Sequence, residues 1–299
     1  MATRKELTMK LRDLFDLLLL AALWGGSFLF MRYAAPAFGA VALIWLRVAI
    51  ASVCLTPLLL LRGQGEVLRE HASDIAVMGV FNSALPFVLI AWAMLSITAG
   101  LASILNATVP IFAALIGALW LGDKLGASRA LGLAVGFGGV LMLAADKADF
   151  KPGGSGWAIV AMLVATCSYG FSANLAKRRL GSVPALVNAA GSQIASAIVL
   201  APLAYWFWPV QMPGGMAWLA VLVLGVGCTA LAYLLFFRLV THVGASRAVT
   251  VTFLIPLFGV LWGSVFLGEV LGAGMLAGGA VVVLGTALAT GVLKLPGRG

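Results

Sequence analysis

Val109-Pro110-Ile111-Phe112 through Leu121-Gly122-Asp123-Lys124-Leu125-Gly126 returns 146 residues later as Ile255-Pro256-Leu257-Phe258 through Leu267-Gly268-Glu269-Val270-Leu271-Gly272. The match runs without a gap over 79–140 and 225–286, with 20 of 62 positions identical. A chain this rich in Leu, Ala, Gly and Val gives roughly six by chance, so the chain is internally duplicated. Trp24-Gly25 and Ser27 match Tyr169-Gly170 and Ser172 at an offset of 145, which carries the duplication back to the first apolar run.

Composition says what is duplicated. Of 299 residues, 63% are hydrophobic and 10% charged, with a mean hydropathy of +1.10. A water-soluble domain carries about 25% charged residues and needs them to clothe its surface. Apolar runs of about 20 residues recur instead, long enough to cross a bilayer core as helices, and the ~10-residue alternating segments of a membrane β-barrel are missing. The fold class is an all-α polytopic membrane protein. Ten transmembrane helices are expected at 14–31, 38–61, 72–95, 99–121, 128–145, 155–176, 183–207, 216–240, 246–267 and 272–293. They form two five-helix repeats, 14–146 and 155–293, joined by a polar linker at 147–154 rich in Gly and Lys. The first run could also be read as a cleaved signal peptide, since Ala34-Ala35-Pro36-Ala37 offers small residues. Its length and its partner in the second half favour a retained helix. Cys54, Cys167 and Cys228 all lie in apolar runs, with neither a disulfide framework nor metal-ligand spacing.

The net charge of +9 does not point to nucleic acid, because the basic residues are scattered through short connections. With the N-terminus inside, fifteen fall on inner segments (Arg4, Lys5, Lys10, Arg12, Arg62, Arg69, Lys124, Arg129, Lys177, Arg178, Arg179, Arg238, Arg247, Lys294, Arg298) and three outside (Arg32, Lys147, Lys151). Arg47 alone lies within a span. This positive-inside bias places both termini in the cytoplasm of a bacterial inner membrane. Five helices per half turn the second half over, and the charges follow: Lys124 aligns with Val270, whereas Trp92 and Leu101 align with Arg238 and Arg247. An inverted-topology repeat is the architecture of secondary transporters.

Polar groups at bilayer depth face an interior or a cavity. Trp24 and Ser27 are mirrored by Tyr169 and Ser172. Asn82 and Ser83 precede Pro86, and Thr229 and Tyr233 lie at the positions of Ser83 and Phe87. Aromatic faces beside a few hydrogen-bonding groups suit a small amphipathic organic substrate, although each residue singly could equally be core or bond its own helix. Arg47, with Gln193 as its repeat partner, is either a substrate-facing anchor or a structural guanidinium. Pro86, Pro110 and Pro256 each remove a backbone hydrogen bond and are candidate hinges. Gly132/Gly136, Gly259/Gly263 and Gly274/Gly278 have the spacing of close helix packing. Asp123 and Glu269 fall at loop edges, where capping or bridging is expected. His71 and His242 are expected in water, and Trp206, Trp208 and Trp218 at the membrane interface. No phosphate-binding loop, metalloprotease helix or Ser/His/Asp set occurs, so neither an enzyme nor a cofactor or metal is expected.

Pro110…Leu121-Gly122-Asp123…Gly132…Gly139 and Pro256…Leu267-Gly268-Glu269…Gly278…Gly285, with Trp24-Gly25-Gly26-Ser27-Phe28 and Arg47, resemble the EamA-type drug/metabolite transporter superfamily. The likeness spans about 14–292, and within it the chain looks most like bacterial aromatic amino-acid exporters of the YddG type. Asp123 stands where the family more often has Glu. The resemblance implies a central cavity between the halves, alternating access, and export of amino acids such as aromatics, Thr or Met. A multidrug or other metabolite carrier is the alternative within the fold; a non-transporting scaffold or small channel is the alternative outside it. The partners implied are a small-molecule substrate and the lipid bilayer, and one copy of the chain suffices.

Overall fold

The computed structural model describes residues 10–145, 149–151 and 154–293. Arg4, Lys5, Lys147, Lys294, Arg298 and much of the expected linker lie outside them.

Every regular element among the described residues is helical. Eight helices are long and apolar enough to cross a membrane: α1 Leu11–Phe38, α2 Ala40–Leu61, α3 Ala72–Ala93, α4 Ala99–Leu121, α5 Ala127–Ala145, α6 Ser155–Arg179, α7 Ala185–Trp206 and α8 Gly215–Val243. Two are shorter, α9 Val251–Leu267 and α10 Ala273–Ala289, at 17 residues each. Short helices Gly65–Glu70 and Ala245–Ala248 lie in the connections.

Most ends sit within a turn of expectation, with two exceptions. Helix α1 runs past Met31 to Phe38, with Pro36 inside it, and stops at Gly39, whose φ of 71° only glycine adopts without strain. Helix α9 starts later than 246, because the chain breaks at Val249–Thr250. There the Thr250 and Thr252 hydroxyls donate to the carbonyls of Arg247 and Val249, a local alternative to the helical ladder.

The expected proline kinks are realised unequally. Helix α4 breaks at Ala107–Thr108, and Pro110 opens its second segment. Pro256 lies inside the continuous α9, downstream of that helix's break. Pro86 follows a wide π turn at Val80–Ala84. Having no N–H, Pro86 leaves carbonyls open, and the hydroxyl of Ser168 on α6 donates to Phe81 O at 2.7 Å, as membrane depth requires. Pro86 aligns with Ala232 in the repeat, so α8 has no proline at this position. Helix α8 nevertheless carries its own π stretch, Val223–Leu231, where Thr229 Oγ1 donates to Leu224 O at 2.8 Å. Such bulges are frequent at functional sites.

The helices pack as an interlocked set. Helix α5 packs on α10, α2 on α7 and α4 on α9; α1 packs on α9 and α8, as α6 packs on α4 and α3; α2 meets α8, as α7 meets α3. Glycines permit these approaches. A Cβ on Gly139 would stand 2.7 Å from Val282 N, one on Gly79 2.7 Å from Ser192 O, and one on Gly225 2.6 Å from Ile50 Cβ. Two neighbourhoods correspond closely: Gly25 lies against Phe258 and Gly259, and Gly170 against Phe112 and Ala113.

Candidate functional site

The π turns of α3 and α8 face a cavity of about 470 Å³ inside the bundle, within the range of small-ligand sites. It extends to Ala176 and Ala185, near the connection between α6 and α7. That is the end of the bundle carrying Arg62, Lys124, Arg179 and Arg238, the basic end.

Eight of the ten side chains expected around a substrate border it: Trp24, Ser27, Arg47, Asn82, Tyr169, Ser172, Thr229 and Tyr233. Ser83 and Gln193 do not. They are fully buried behind the wall, where Gln193 Nε2 donates to Ser83 Oγ at 2.9 Å and ties α7 to α3. The wall also contains positions the sequence did not single out. Asn106 and Thr252 are repeat partners beside the breaks that precede α4's second segment and α9, and polarity at matched positions was the signal available. Cys228 is the partner of Asn82, and Phe236 of Ile90. Asn188 on α7 has no polar partner in the first half, so the repeat could not reveal it.

Hydrogen bonds join the halves across this cavity. Asn82 Nδ2 donates to Tyr233 Oη at 3.2 Å, and Ser172 Oγ donates to Asn82 Oδ1 at 3.1 Å. Trp24 packs on Phe236 with ring centroids 5.5 Å apart, and Tyr169 meets Phe87 edge-on at 6.3 Å.

Arg47 is 4% exposed. Its Nε donates to Thr229 Oγ1 at 2.9 Å, its Nη1 approaches Met31 Sδ at 3.5 Å, and its guanidinium lies 3.8 Å above the Phe87 ring centroid. Among the described residues no carboxylate pairs with it.

At the end opposite the basic one, two charged side chains bond to backbone groups of the α3–α4 region. The Glu269 carboxylate accepts from the Ala99 and Gly100 N–H groups, and the Arg32 guanidinium donates to Met94 O. At the basic end Asp123 pairs with Lys177 at 2.8 Å. Two side-chain contacts there join α1 to α8. His242 Nδ1 lies 3.3 Å from Asp13 Oδ1, so this histidine is paired and not simply solvated. Arg238 Nη1 lies 3.0 Å from the buried Asp16 Oδ2, in ionic contact although outside hydrogen-bond alignment. His71 Nδ1 approaches Val67 O at 3.1 Å. Trp206 is exposed, and the half-buried Trp218 packs edge-on against Phe38.

The model of the EamA-like transporter family matches residues 14–145 and again 156–291. A protein of Streptantibioticus cattleyicolor described as "Probable terminal-alkyne amino-acid exporter" is 27% identical over 281 residues, 91% of each chain. An "Uncharacterized transporter" of Archaeoglobus fulgidus is 24% identical over 90% of this chain and 95% of its own. A crystal structure 22% identical in sequence superposes with a TM-score of 0.66, over 94% of this chain and 97% of that one, which shows a shared fold.

Proposed function

The chain belongs to the EamA-like transporter family, a multi-pass membrane transporter, and from that premise we propose that it exports small amphipathic metabolites, aromatic and neutral amino acids first. The observation that carries the reading is the cavity. It is walled by aromatic faces and a few hydrogen-bonding groups, and it borders both halves of the duplicated chain. Such a lining fits a molecule with an apolar body and a polar end. The description of the Streptantibioticus relative as an amino-acid exporter supports the substrate class.

The proposed architecture is ten spans in two inverted five-helix repeats, 14–146 and 155–293. Two separate family matches and helix pairings that exchange when the halves are exchanged support it. The proposed orientation puts both termini in the cytoplasm of an inner membrane, with the basic end inward. On that reading the structure is inward-facing, with its outer end shut by Glu269. Transport proceeds as the halves rock about the cavity, and Trp24, Ser27, Asn82, Tyr169, Ser172, Thr229, Tyr233 and Arg47 meet the substrate. Ser83 and Gln193 brace the wall from behind, and Pro86, Pro110 and Pro256 allow bending.

Purified protein in liposomes, offered labelled phenylalanine, tryptophan, threonine and methionine, tests the substrate. Flux above empty vesicles is expected for at least the aromatic pair. No flux for any amino acid would refute the amino-acid reading.

A further inference from the structure

Among the described residues, Arg47 is the only permanently charged side chain lining the cavity, and none of the lining residues is Asp or Glu. Burying a guanidinium without a carboxylate is costly, and such a group is ordinarily paired. Thr229, the Met31 thioether and the Phe87 ring relieve part of that cost, but they leave most of its N–H donors unmatched. A guanidinium presents a planar fork that fits a carboxylate at two points. Its position beside Phe87 sets the apolar wall next to that fork. The same wall offers nothing anionic to an ammonium. What it offers an amine is neutral, including Asn188 Oδ1, which is buried and makes no hydrogen bond.

We infer that Arg47 is the seat of a substrate carboxylate, and that the ligand class is carboxylates with an aromatic or apolar body, in which the amine is tolerated but not required. The inference rests on the reading of this cavity as the substrate site and narrows it. Recognition follows charge. The cavity's single positive charge lies in a low-dielectric interior, so it attracts a carboxylate and repels a lone ammonium. Aryl-carboxylic acids without an amino group therefore enter, and amines of the same shape do not. A multidrug carrier for organic cations would need the opposite charge.

Three ligands with one ring test this on the unaltered protein: phenylalanine, 3-phenylpropanoate and phenylethylamine. Binding is read by quenching of intrinsic tryptophan fluorescence, and competition by uptake of labelled phenylalanine into proteoliposomes. The acid is expected to compete within about tenfold of phenylalanine, and the amine at least about tenfold more weakly. Arg47→Gln should weaken the acid by about tenfold or more, with Arg47→Lys between, since lysine keeps the charge but loses the fork. If Arg47→Gln does not fold, the three-ligand comparison decides alone. An amine that competes as well as the acid, or an acid that fails to compete, overturns the inference and leaves the amino-acid reading standing. Binding of 3-phenylpropanoate without any transport of phenylalanine does the reverse. Binding of neither acid overturns both.

Discussion

Glu269 caps Ala99 across the bundle: Oε1 accepts from Ala99 N at 2.6 Å, and Oε2 accepts from Gly100 N at 2.9 Å. A carboxylate on the first turn of a helix satisfies orphan N–H groups and complements the helix dipole. Gly263 makes room for it, since a Cβ there would collide with the carboxylate. The repeat partner Asp123 pairs with Lys177. Glu269→Ala should therefore loosen this end of the bundle by about 1–2 kcal/mol, and Glu269→Gln by less. In a background lacking the native cysteines, maleimide labelling of an Ile97→Cys probe, buried beside this cap, should speed up about tenfold with Glu269→Ala. An unchanged labelling rate would mean that the contact does not hold the end shut.

The Asp123–Lys177 pair should matter far less to stability. Its side chains are 43% and 60% exposed, and pairs in water contribute about 0–1 kcal/mol. Lys177→Ala should leave the thermal midpoint in detergent within a degree or two. A large fall would show that Asp123 holds the end of α4 as Glu269 holds its start.

Neighbouring glycines on α5 should respond in opposite ways. A Cβ at Gly139 meets the backbone of α10, whereas one at Gly138 meets nothing within 4 Å. Gly139→Val should abolish the monodisperse peak on size exclusion. Gly138→Ala should preserve it and gain a few tenths of a kcal/mol from helix propensity. Equal behaviour of the two would contradict the α5–α10 packing.

Trp24 and Tyr169 both supply aromatic faces to the cavity, each held by a ring of the other half. Trp24→Ala and Tyr169→Ala are each expected to lower proteoliposome flux by about tenfold, with folded yield maintained. Full flux in both variants would remove them from the substrate path.

Orientation is open to a direct measurement. In the same cysteine-free background, Asp149→Cys should react with an impermeant maleimide from the periplasmic face only, because it lies between α5 and α6 at the end opposite the basic one. Reaction from the cytoplasm alone would invert the proposed topology.

Much of the helical layout was legible in the sequence because hydropathy sums locally. The stops of α4 and α9 at Gly122 and Gly268 are written in single residues, whereas α1 runs on past its expected end to Gly39. The cavity wall was legible where the duplication placed polar groups in matched pairs, as with Trp24 and Tyr169. It was not legible at Asn188, which has no polar partner, or at Gln193, whose matched position suggested the cavity although its amide bonds Ser83. The π stretch of α8 was hidden as well, since no proline marks it and the hydroxyl of Thr229 stabilises it instead.

By itself the sequence determined a duplicated, helical membrane chain, since repeated apolar runs with few charges admit no other solvent for most of their surface. Tertiary structure alone decided which polar groups meet. Helix rotation and the π turns set the direction of each side chain. Arg47 therefore comes to rest on Thr229, 182 residues away, and Glu269 reaches Ala99 while Asp123 turns to Lys177. These contacts join residues that no local pattern relates, and they set a guanidinium at the cavity wall and tie α9 to the start of α4.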